Sequence, residues 1–164
     1  KLFFPTIVSL VILSLLAIAL WGMTVLGAGL YLVTDHTKPS SDQRREIALA
    51  PGERDLVLKE MRGILASLDG ILIGLAQHDA KKMEDSARAS GMVMATEENA
   101  GLIAKLPLDF KQLGLGLHRE FDSLADAAKS GESQEQILLR TAKLTNRCNS
   151  CHQVYRLGID PNHP

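Results

Sequence analysis

A chain of 164 residues with a formal net charge of −1 has room for one bundle-sized domain and an appendage, and its even charge balance gives nucleic-acid binding no support. Aromatic residues make up 4% of the chain, and beyond the N-terminal segment Ala, Leu, Lys, Glu and Gln dominate while β-branched runs are rare. This composition predicts an all-α fold with no sheet.

No charged residue occurs from Leu2 to Thr34, and Ile7 to Val33 is a nearly continuous apolar run, longer than the ~20 residues needed to cross a bilayer. It predicts a transmembrane anchor over residues 1–34. A cleaved signal peptide is the competing reading, because Gly27-Ala28-Gly29 are small enough for a processing site, but the run is about twice the usual ~7–15-residue apolar core. Trp21 falls mid-span, where lipid or a partner helix must cover it, and Tyr31 falls near the exit end, where an interfacial belt suits it. Gly22, Gly27 and Gly29 would let another helix approach closely.

Residues 35–52 contain Pro39, Ser40, Ser41, Pro51 and Gly52 and are expected to be a linker. The second domain is then 53–164, with four helical patterns. The first, 54–77, places Leu58, Met61, Ile64, Leu65, Leu68, Ile71, Leu72 and Leu75 on one stripe at three- and four-residue steps. The second, 79–105, opens on Asp79 as N-cap and stops before Pro107. The third, 109–130, aligns Phe110, Leu113, Leu117, Phe121, Leu124 and Ala128 and ends at Gly131. His118 lies beside that stripe and is expected to be solvated.

The fourth helix, 134–157, opens on Ser133-Gln134-Glu135-Gln136, the S-x-x-Q form of a capping box, and is stopped by Gly158 and Pro161. Short connections favour antiparallel neighbours, hence an up-down-up-down four-helix bundle after the transmembrane helix.

That last helix carries Cys148-Asn149-Ser150-Cys151-His152, the C-x-x-C-H signature of covalent c-type haem attachment. Two thiols three residues apart share one side of a helical turn, where each can form a thioether to a porphyrin vinyl group, and His152 then offers an imidazole as proximal iron ligand. Other chemistries use C-x-x-C as well. A redox dithiol usually sits near a βαβ pattern, a zinc site needs two more N or S ligands, and the remaining histidines share no ligand spacing. One covalent haem c consumes both cysteines and gives the adjacent histidine a purpose.

From Phe121 to Arg156 the chain resembles the cytochrome c-prime family of four-helix monohaem cytochromes. Phe121, Leu124, Ala127, Ala128 and Gly131 carry the likeness, followed by the C-x-x-C-H-x-x-Y-R ending made by Cys148, Cys151, His152, Tyr155 and Arg156. The first helix fits as well, with Val57-Leu58-Lys59-Glu60-Met61 matching the segment that faces the distal side of the haem. Tyr155 is expected to pack against the porphyrin edge, and Arg156, one turn after His152, either to pair with a haem propionate or to serve as a plain surface charge. The resemblance also places the haem domain in the periplasm and the anchor, single-pass, in the inner membrane. Family members pair through their first two helices, so a homodimer is a further implication.

The family divides at the distal position, which Met61 occupies. A thioether there closes the iron's sixth site and suits electron transfer, whereas a methionine that only fills the core leaves the site open. The leading expectation is a membrane-anchored electron carrier, not an enzyme, serving subunits of a respiratory or photosynthetic membrane complex or soluble electron carriers. The alternatives are a high-spin module that binds nitric oxide or carbon monoxide, and a structural accessory subunit.

Overall fold

The computed structural model describes residues 3–33, 37–96 and 100–161. The expected boundary at 34/35, residues 97–99 of the expected second helix and the last three residues lie outside that set. The chain divides into two compact units, residues 1–35 and 36–164.

The first unit is helix α1, Phe3–Val33. Its stretch Ser9–Tyr31 is 23 residues long and apolar enough to cross a membrane. At ~1.5 Å per residue it reaches ~35 Å, against a hydrocarbon core of ~30 Å. Every side chain from Ser9 to Tyr31 is exposed in the chain, Trp21 among them. Ser14 and Thr24 donate their hydroxyls to the carbonyls of Leu10 and Leu20, which removes two polar groups from the apolar surface.

The second unit is mostly helical, but it opens with a sheet that composition did not predict. Strand β1, Thr37–Pro39, pairs antiparallel with β2, Arg45–Leu49. The region expected to be a linker is therefore structured. Gln43, with φ +67°, turns the chain between the strands, and the Ser40 amide donates to the Arg44 carbonyl at 3.0 Å.

Helix α2, Pro51–Gln77, starts with proline in its first turn, and Glu53 accepts a hydrogen bond from the Ala50 amide at 3.0 Å. Its predicted stripe is only partly inward. Leu68 and Ile71 are buried, whereas Leu65 and Leu72 are exposed.

Among the described residues the expected second helix comprises α3, Ala80–Arg88; α4, Met92–Thr96; and α5, Ala100–Lys105, and it is interrupted between α3 and α4. Asp79 does cap α3, accepting from the Lys82 amide at 2.9 Å. The break at Ala89–Gly91 has a tertiary cause. Asp122 accepts from both the Met92 amide and Arg88 Nη1 at 2.8 Å, and a Cβ on Gly91 would come within 2.2 Å of that carboxylate.

Helix α6, Leu108–Lys129, follows Pro107 and ends before Gly131, whose φ of +78° suits glycine. Helix α7, Gln134–Val154, is capped by Ser133, which accepts from the Gln136 amide. It stops three residues earlier than expected, because Tyr155–Ile159 is strand β3, parallel to β2 in the register Arg45 to Tyr155 through Leu49 to Ile159.

Among the long helices, α2 packs on α3 and α7, and α6 packs on α3 and α7. Two separate cores result. One gathers Leu68, Ile71, Met83, Phe121, Leu124, Ile137 and Leu144. The other joins Ile47 and Leu49 of the sheet to Val57, Leu102, Leu106 and Tyr155.

Candidate functional site

A cavity of about 540 Å³ is lined by residues from both cores, including Leu68 from the first and Val57 from the second. Its size falls within the ~300–1,000 Å³ of cofactor pockets. Its walls are mainly apolar: Leu58, Met61, Ile64 and Leu65 from α2, with Phe110, Leu113 and Leu117 from α6. Cys148, Cys151 and His152 of α7 complete it.

A smaller cavity of about 170 Å³ shares Leu58, Met61, Phe110, Cys151 and His152 with the first and adds Tyr155, Arg44, Arg54 and Arg156. The structure thus brings together all six residues singled out from the sequence, Met61 from α2 and the other five from α7 and β3.

The two thiols are unjoined and partly buried. Burial pushes both above the ordinary thiol range, and for Cys151 the neighbouring Cys148 adds to the effect. Cys151 lies in the last turn of α7, where the helix dipole also disfavours a thiolate. Among the described residues no group of three or more His, Cys, Asp and Glu converges as a metal cluster. A haem asks less of the chain, because the porphyrin supplies four of the iron's ligands.

Tyr155 is buried, meets Phe110 edge-on at 5.4 Å and receives a hydrogen bond from Arg45 Nη1 on its hydroxyl at 2.9 Å. Arg156 lies 3.3 Å from Glu46 and 4.0 Å from Asp42. His118 corrects the expectation of a solvated side chain: it is 3% exposed, with Nε2 2.8 Å from Glu60 and Nδ1 2.8 Å from the Ser90 carbonyl. His118 and Glu60 both line the larger cavity.

Sequence reasoning missed this pair, and it missed Arg44 and Arg54. The alternation Glu46-Ile47-Ala48-Leu49 was a readable strand signal that would have drawn Arg44 toward the site. No family model, curated protein or solved structure matches this chain.

Proposed function

We propose that the chain is a membrane-anchored c-type cytochrome of the cytochrome c-prime type, which carries one covalent haem and passes single electrons on the periplasmic side of the inner membrane. In this reading α2, α3, α6 and α7 form the up-down-up-down four-helix bundle. One observation carries it: a cavity bordered by residues of both cores has mainly apolar walls, is of cofactor size, and is lined by both C-x-x-C thiols and His152.

Cys148 and Cys151 would hold the haem through thioethers, with His152 as proximal ligand and Met61 as distal ligand. The haem supplies a one-electron iron couple, and the chain sets its potential through axial ligands, burial and nearby charge. Tyr155 would cover one edge, and Arg156, beside Arg44 and Arg54 in the smaller cavity, would face the propionate carboxylates. Electron donors and acceptors would be subunits of a membrane redox complex or soluble carriers.

The test is expression of the full chain with a c-type maturation system. The expected product keeps its haem after acid-acetone extraction and shows a low-spin reduced spectrum, and Cys148→Ser/Cys151→Ser loses the covalent haem. A wild-type chain without bound haem would overturn the proposal.

The packing of Met61 against the second core favours a second reading, in which methionine only fills space and the iron binds nitric oxide or carbon monoxide. Met61→Ala separates the two. An electron carrier changes from low to high spin, whereas a gas binder keeps its spin state.

A further inference from the structure

The sheet joins the two ends of the candidate site. β2 runs directly into α2, the helix of Met61, and β3 leaves α7 three residues after His152. The parallel pairing of β2 with β3, with a further hydrogen bond from the Asp160 amide to the Leu49 carbonyl at 2.8 Å, ties these elements across more than a hundred residues of sequence.

At this joint the last carbonyls of α7 have no helical partner, as at any helix C-terminus. Arg44 supplies one. Its Nη1 donates to the His152 carbonyl at 3.2 Å and lies 3.5 Å from the Tyr155 carbonyl. The rest of the guanidinium is fixed by Asp42, with Nε 2.8 Å and Nη2 2.6 Å from Oδ2. Asp42 therefore aims the fork, and the fork holds the turn that presents His152.

We infer that the β1–β2 hairpin is a clamp on the turn bearing His152, with Arg44 as a positioning residue and Asp42 as the group that orients it. This rests on His152 being the proximal haem ligand. A guanidinium is suited to the task, because its rigid fork engages a carboxylate and carbonyls at once, while a lysine ammonium is a single point of charge. A clamp of this kind limits how far the imidazole can tilt or withdraw, and such orientation is a lever on the potential.

The full haem-loaded chain, wild type and with Arg44→Ala, Arg44→Lys, Asp42→Asn and the control Arg140→Ala, is compared by hydrogen exchange and by redox titration. Positioning predicts exchange at least tenfold faster in the segment spanning His152–Leu157 for the Arg44 and Asp42 variants, with midpoint potentials displaced in the same direction. A purely electrostatic effect predicts opposite directions for Arg44→Ala and Asp42→Asn, since one removes a positive charge and the other a negative one. That outcome, or faster exchange with an unmoved potential, overturns the inference. Absence of covalent haem in the wild type would instead overturn the functional reading, and unaltered exchange would then reject the clamp by itself.

Discussion

His118 Nε2 lies 2.8 Å from Glu60 Oε1, and the other ring nitrogen lies 2.8 Å from the Ser90 carbonyl. Both partners accept hydrogen bonds, so only the doubly protonated imidazolium satisfies both at once. Burial opposes that charge. The Glu60 and Ser90 hydrogen bonds and the negative charges of Glu60 and Asp122 outweigh burial, and the pKa is held above its ordinary 6.5. A raised folded-state value means that the stabilisation is fully present below the unfolded value and is lost as pH rises through the folded one. Thermal unfolding across about pH 5.5 to 8.5 should show it. His118→Gln is expected to destabilise by about 1–3 kcal/mol at the acidic end, with the gap to wild type narrowing above pH 6.5. A gap independent of pH would refute the charged pair.

The break between α3 and α4 has an equally specific dependence on one missing atom. A Cβ on Gly91 would lie 2.6 Å from the Asp122 Cγ and 2.2 Å from its Oδ1. Gly91→Ala must displace the carboxylate that caps α4 and binds Arg88, so a loss of about 1–3 kcal/mol is expected in urea unfolding. Asp122→Asn keeps one acceptor oxygen but sets an NH2 donor against either the Met92 amide or Arg88 Nη1, so it should destabilise as well. If Gly91→Ala unfolds like wild type, the carboxylate is not fixed there.

Legibility in the sequence followed the range of the interactions. Asp79, Ser133 and Gly131 announced their helix ends because caps act within three or four residues. Cys148, Cys151 and His152 stood out for the same reason, as a short local motif, whereas the apolar stripe alone marked Met61 only as core and the resemblance singled it out. What escaped was nonlocal. Tyr155 became a strand residue because Arg45, 110 residues away, offers it an edge. The second helix broke because Asp122 competes for Arg88 and Met92, and His118 left the solvent because Glu60 and Ser90 receive it. A polar residue beside an apolar stripe looks solvated until the partner helix is in place.

The ends of α2 and α6 share one device and differ in how well the sequence suits it. At α6 the Gly131 and Glu132 amides donate to the Ala128 and Ala127 carbonyls, and at α2 the His78 and Asp79 amides donate to Leu75 and Gly74. Each turn needs a left-handed residue: Gly131 has φ +78° and His78 has φ +56°. Glycine adopts this freely and histidine does not. Gly131→Ala is expected to cost about 1 kcal/mol, and His78→Gly to stabilise by about 0.5–1 kcal/mol less whatever its contact with Gln134 contributes. Denaturant midpoints of the two variants should move in opposite directions.

Leu65 lines the larger cavity although it is 67% exposed in the chain, which makes it a probe of occupancy separate from the ligands. A side chain that contributes little burial to the bare chain should be replaceable at small cost, and glutamine keeps leucine's helix propensity. Leu65→Gln is therefore expected to leave the urea midpoint of the haem-free chain within about 0.5 kcal/mol of wild type. With haem in the cavity the same substitution puts a polar amide where an apolar wall stood. A more polar surround favours the more highly charged oxidised iron, so the midpoint potential should fall. Leu138→Gln on α7 is the control, since Leu138 is 52% exposed and lines neither cavity. Equal potentials in the two variants would show that the haem does not lie against Leu65, and would remove the cavity bordered by both cores as its site.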